Sequence, residues 1–151
     1  MKNKIYIITG LSKTGKTTRL MNWALNQKSI DGILQPVVDG KRCFYHISSR
    51  TLMLLGSDDD FNTIKVGKYK FNQEAFKWAN EKLINTSDKN YEWLVIDEIG
   101  LLELQGKGLD KSIKIILKNS TSMNLIFVIR ESLLNKALQH YNIKDYQILE
   151  L

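Results

Sequence analysis

A loop with two glycines, a lysine and a threonine at fixed spacing constrains this chain more than any other feature. Residues 10–17 read G-L-S-K-T-G-K-T and match the phosphate-loop (P-loop) pattern G-x-x-x-x-G-K-S/T. The loop directly follows the apolar run at 4–8, which is typical of a buried strand, and it precedes a helix expected over about 15–28. A strand–loop–helix unit of this kind belongs to an α/β fold that binds phosphate at the start of the helix.

The spacing of this loop has a physical reason. Glycines let the backbone curl until successive N–H groups converge on phosphate oxygens, and the following helix directs its positive end to the same place. Lys16 can then reach the β- and γ-phosphates of a nucleotide, and the Thr17 hydroxyl can bind Mg²⁺. The predicted nucleotide-binding residues are Gly10, Leu11, Ser12, Lys13, Thr14, Gly15, Lys16, Thr17 and Thr18.

An acidic pair, Asp97 and Glu98, follows a second apolar strand predicted at 93–96. Ligands of α/β sheets bind beyond the carboxyl ends of the strands, so we expect Asp97 to lie beside the P-loop and to hold Mg²⁺ directly or through water. Glu98 is expected to accept a proton from an attacking water or to orient it. Such a pair is more often a helix or loop cap, but its combination with a P-loop favours the catalytic interpretation.

Two further charged residues have two open interpretations each. Arg130 directly follows a third apolar strand at 124–129, where it can stabilise charge growing on a γ-phosphate, or else form a salt bridge with Glu131 or Asp145. Glu103 is close enough to Glu98 to border the same site, or else it lies on a solvated loop.

The rest of the chain predicts a single α/β domain over 1–151, with a mainly parallel sheet flanked by helices. The turn pair at 39–40 lies between two short β-type runs and predicts a hairpin, so an antiparallel insertion is expected around 33–55. Further helices are predicted over about 73–85, 109–118 and 131–140, and a last strand over 146–151.

Composition limits the classes of partner. The chain has 43% hydrophobic and 25% charged residues, which is average for a globular protein, and it has no apolar run of the length that spans a membrane. The net charge of +6 comes mostly from lysines scattered singly along the chain, so nucleic acid is not expected as a partner. The one cysteine, Cys43, fits a reducing compartment, and we expect a cytoplasmic monomer.

Over nearly its whole length the chain resembles the THEP-type nucleoside-triphosphatases, a small P-loop family also called cancer-related nucleoside-triphosphatases. Four blocks carry the resemblance: 10–18, 95–100 followed by Glu103, 66–69, and 32–44. The resemblance implies a RecA/AAA-related fold and Mg²⁺-dependent hydrolysis of ATP, GTP and other nucleoside triphosphates to the diphosphate and phosphate. The block at 66–69 makes Lys68 and Tyr69 candidates for the nucleotide pocket.

The sequence departs from this family in two places, where Leu101-Leu102 replaces a usual Lys-Met and Gln35 replaces a usual Thr. Two other functions remain open. A nucleotide or nucleoside kinase can use the same fold, although four arginines are few for holding two polyphosphates. A nucleotide-dependent switch with slow hydrolysis would need the same site. No guanine-recognition motif appears, so base preference is not predicted.

Overall fold

The computed structural model of the chain describes residues 4–10, 15–57, 62–66, 69–119 and 122–151. Its strands are β1 (Lys4–Ile8), β2 (Ile30–Leu34), β3 (Val37–Val38), β4 (Lys41–His46), β5 (Thr51–Leu54), β6 (Thr63–Val66), β7 (Tyr69–Asn72), β8 (Trp93–Ile99), β9 (Asn124–Ile129) and β10 (Gln147–Ile148). Its α-helices are α1 (Lys16–Leu25), α2 (Gln73–Thr86), α3 (Leu101–Leu104), α4 (Asp110–Lys118) and α5 (Leu134–His140). A 3₁₀ turn at Glu131–Leu133 leads into α5.

Eight of the described strands form one mixed sheet. The strand order is β10–β1–β9–β8–β2–β4–β3, and β5 also pairs with β4. The five strands β10, β1, β9, β8 and β2 run parallel, whereas β3, β4 and β5 are joined by antiparallel pairs. The predicted mainly parallel sheet with an antiparallel insertion is therefore confirmed.

Helices cover both faces of the parallel strands. On one face, Ile8 of β1 and Val95 of β8 pack in one cluster with Leu20 of α1. On the other face, Ile7 and Ile96 pack in a second cluster that includes residues of α2, α4 and α5. Neighbouring positions of a strand thus alternate between the two clusters, which is why these strands read as continuous apolar runs.

The strand β2 was not predicted from the sequence as a member of the parallel sheet. All five of its residues are buried, and β2 pairs in parallel with β8 while its end pairs in antiparallel with β4. The charged residue Asp31 interrupts the apolar residues of this segment, so the sequence pattern does not indicate a buried strand. Burial opposes ionisation of this group, but hydrogen bonds from His46, Thr86 and the Gly32 N–H outweigh burial and hold the pKa of Asp31 at about 2.

Gly32 allows β2 to pack closely against β8. Its φ is +141°, and a Cβ atom there would overlap the Val95 carbonyl oxygen and lie 2.7 Å from Val95 N. We expect Gly32→Ala to lower the free energy of unfolding by about 3 kcal/mol, because neither backbone can move without breaking the β2–β8 pairing. Urea unfolding measures this change. Gly56→Ala is the matched control, since a Cβ atom at Gly56 meets nothing within 4 Å; equal stability of the two variants would contradict the prediction.

Other boundaries differ from the prediction in detail. The helix predicted over 73–85 is α2, and the Asn72 side chain caps it by accepting from Glu74 N at 2.9 Å. The last strand is shorter than predicted, and the segment 131–140 begins with the 3₁₀ turn. The antiparallel pair of β6 and β7 was not predicted, and neither was α3. None of the described helices combines the length and the apolar character needed to cross a membrane.

Candidate nucleotide-binding site

The sheet brings three predicted site segments to one edge. Val128 of β9 pairs both with Ile8 of β1 and with Asp97 of β8, so the carboxyl ends of these strands are level. Gly10 and Arg130 each lie two residues beyond this row. The backbone joins them as well, because Glu131 N donates to the Gly10 carbonyl oxygen at 3.2 Å.

Asp97 links the first helix, the end of β8 and the segment after β2. Its Oδ2 accepts from the Thr17 hydroxyl at 2.9 Å and from Gln35 N at 3.0 Å. Asp97 is buried, with only 1% of its surface exposed. Thr17 is 80 residues away in sequence, so this is a tertiary contact between α1 and β8.

Burial raises the pKa of Asp97 to about 6, and the negative charge of Glu98 acts in the same direction. The Gln35 N–H, the Thr17 hydroxyl and the positive charge of Arg42 oppose this increase. A nearby cation stabilises the charged form of such a buried carboxylate more than that of a solvated one. The Thr17 hydroxyl and the Asp97 carboxylate are also oxygen donors of the kind that Mg²⁺ prefers, so the donor set fits that ion.

Glu98 and Arg130 face each other at this edge. Arg130 Nη2 lies 3.9 Å from Glu98 Oε1, and the two side chains are 43% and 22% exposed. Within the part of the chain that the structure describes, Arg130 thus faces Glu98, rather than the Glu131 or Asp145 considered from the sequence. Partly exposed pairs of this kind contribute little to stability. The pair shows that a positive and a negative charge lie side by side at the carboxyl ends of β8 and β9.

Glu103 is not on a solvated loop. It lies in α3 and is 4% exposed, and its carboxylate accepts two backbone N–H groups. Leu101, on the same short helix, is 45% exposed.

Several predicted residues fall outside the described part of the chain. Leu11, Ser12, Lys13, Thr14 and Lys68 are among these. Gly15 precedes α1 with φ +80°, Lys16 is the first residue of that helix, and Thr18 on it is exposed. Tyr69 is 51% exposed, and its ring stacks on Phe71.

Sequence reasoning gave no role to Gln35 or Arg42, which both act on Asp97. Gln35 binds Asp97 through its backbone N–H, and no side-chain pattern reveals such a contact. Arg42 lies on β4, and its positive charge lowers the pKa of Asp97. The sequence predicted this strand only as part of a hairpin. The block at 32–44 was the one signal that grouped these two residues.

A family model described as NTPase matches residues 5–151. The chain belongs to this THEP1-like NTPase family. The crystal structure of THEP1 from the hyperthermophile Aquifex aeolicus is similar, with a TM-score of 0.68 and 19% sequence identity, covering 100% of this chain and 90% of that one. At that identity the likeness shows the fold, and the expected P-loop NTPase fold is confirmed. Comparison with curated proteins finds no match.

Proposed function

We propose that this protein hydrolyses nucleoside triphosphates to the diphosphate and phosphate with the help of Mg²⁺. The contact between Thr17 and Asp97 is the observation that best supports the proposal. It joins the start of the helix after the P-loop to the acidic end of β8, which are the two elements needed around a Mg²⁺–triphosphate.

In this proposal the P-loop backbone and Lys16 bind the phosphates, while Thr17 and Asp97 hold Mg²⁺. When bound, Mg²⁺ offsets negative charge on the β- and γ-phosphates. Asp97 stays buried, and the Thr17 hydroxyl and the Gln35 N–H orient its carboxylate. Any base can be accommodated by this part of the site, because every nucleoside triphosphate has the same phosphates.

Glu98 is proposed to orient the attacking water and accept its proton. It is adjacent to Asp97 but more exposed than Asp97, so water can reach its carboxylate. Arg130 is proposed to stabilise the charge that grows on the γ-phosphate in the transition state. Two contacts support this role: the neighbouring Glu131 N donates to the Gly10 carbonyl oxygen, and the Arg130 guanidinium lies 3.9 Å from Glu98.

The direct test is phosphate release from ATP, GTP, CTP and UTP, measured with Mg²⁺ and with EDTA. We expect Mg²⁺-dependent release from all four. A parallel screen offers nucleosides and nucleotides as phosphate acceptors. Transfer to an acceptor faster than to water would replace the proposal with a kinase.

Asp97→Asn should weaken the apparent affinity for Mg²⁺ by roughly tenfold or more, because it removes the charge next to Thr17. Titration of nucleotide binding and of turnover with Mg²⁺ measures the change. Asp88→Asn, at an exposed position after α2, is the matched control. An unchanged Mg²⁺ dependence in a folded Asp97→Asn variant would contradict this metal site.

A further inference from the structure

The buried carboxylate of Glu103 connects the two ends of the segment 100–109. Its Oε1 accepts from Gly100 N at 2.8 Å, and its Oε2 accepts from Leu109 N at 2.9 Å. Gly100 directly follows β8, and Leu109 directly precedes α4. One side chain therefore fixes the exit of the β8 strand against the start of a helix that packs in the core.

Space for this carboxylate depends on Gly108. A Cβ atom at Gly108 would overlap Glu103 Oε2 and lie 3.2 Å from Leu102 Cβ, and the φ of Gly108 is +59°. A larger residue there would force the carboxylate away from Leu109 N. The position of the Glu103 carboxylate thus depends on both residues, so a substitution of either Glu103 or Gly108 should disturb it.

Glu98 lies between two anchored points of the backbone. On one side is Asp97, whose carboxylate is held by Thr17 and Gln35. On the other side is Gly100, which is held by Glu103. Between them the pairing of β8 with β9 shifts register, from Asp97 opposite Val128 to Ile99 opposite Ile129. Glu98 therefore lies outside the regular pairing of β8 with β9. The contacts of Asp97 and of Gly100 restrain the chain on either side of it.

We propose that Glu103 is a positioning residue for Glu98 and acts through Gly100. In this role it keeps the carboxylate of Glu98 at the carboxyl ends of the parallel strands, opposite Arg130. The inference rests on the proposed hydrolysis and adds to it a residue that does not touch the substrate. Burial raises the pKa of Glu103 to about 7, and the charge of Glu98 acts in the same direction, whereas the two N–H donors oppose it.

Glu103→Gln tests the proposal, because it keeps the size of the side chain but replaces one accepting oxygen with an NH₂ group that cannot accept an N–H. We expect kcat for ATP to fall about tenfold while KM changes less than twofold, since the phosphate-binding loop is untouched. A residue with only a structural role would lower the melting temperature and leave kcat of the folded protein unchanged. Glu81→Gln, at an exposed position of α2, is the matched control.

A second readout does not depend on activity. In ¹⁵N-labelled protein, Glu103→Gln should shift the amide resonances of Glu98 and Gly100 and speed hydrogen exchange at Gly100 by tenfold or more, with α2 unchanged. Glu103→Asp, which keeps the charge but is too short to reach both amides, should give the same pattern if Glu103→Gln does not fold.

The outcomes separate the two proposals. Wild-type protein that binds nucleotide but never releases phosphate would refute the hydrolase, while the amide measurements would still test Glu103. Unchanged amides at Glu98 and Gly100, or a wild-type kcat in a folded variant, would overturn the positioning role. Gly108→Ala should reproduce the loss of kcat, because it displaces the same carboxylate without removing it.

Discussion

Lys16→Ala should lower nucleoside triphosphate turnover by about a hundredfold or more. Lys16 is the seventh residue of the P-loop pattern and the first residue of α1. Its proposed task is a charge-assisted contact with the β- and γ-phosphates, and negative charge moves along this part of the substrate as the bond breaks. The lost contact therefore affects both binding of the ground state and stabilisation of the transition state, so we expect KM to rise as kcat falls.

The measurement is steady-state phosphate release together with nucleotide binding by calorimetry. Lys77→Ala removes the same charge from an exposed position of α2, away from the proposed site, and should keep wild-type turnover. Circular dichroism melts establish that each variant is folded. Wild-type turnover in a folded Lys16→Ala protein would exclude the P-loop as the phosphate site.

The edge of the sheet that carries the candidate site could be predicted because its signals are local. An apolar strand followed by a glycine loop, and an apolar strand followed by two acids, each identify a strand end. Parallel strands place such ends on one side. The prediction that Asp97 lies beside the P-loop needed only this rule. In the structure its carboxylate accepts from the hydroxyl of Thr17, the last residue of the P-loop pattern, at 2.9 Å.

Features that depend on partners distant in sequence could not be predicted in the same way. Asp31 is a polar residue in a buried strand, and only the fold shows that His46 and Thr86 donate to it. Glu103 is similar. Whether a loop carboxylate is solvated or buried depends on two backbone N–H groups and on the space left by Gly108, and no periodic pattern records these.

Glu98→Gln should lower kcat by about a hundredfold and leave KM nearly unchanged, if Glu98 is the base that acts on water. The substitution keeps the shape of the side chain but removes the charge that accepts the proton. Glu98 is expected to contribute little to binding, because the P-loop, Thr17 and Asp97 supply the proposed contacts with Mg²⁺ and phosphate. A bound and unhydrolysed nucleoside triphosphate should therefore accumulate in the variant.

Single-turnover hydrolysis, with bound nucleotide separated by chromatography, distinguishes slow chemistry from weak binding in Glu98→Gln. Glu92→Gln is the matched control, because Glu92 is exposed and directly precedes β8, at the end of the strand opposite to Glu98. Loss of its charge should leave kcat unchanged.

The Glu98–Arg130 pair makes a further distinction possible, since neutral glutamine leaves the Arg130 guanidinium without its carboxylate partner at 3.9 Å. If that pairing only restrained Arg130, Glu98→Gln would free the guanidinium for the phosphates, so affinity would rise and kcat would not fall. A fall in kcat at constant affinity therefore excludes that purely restraining role and supports the action of Glu98 on water.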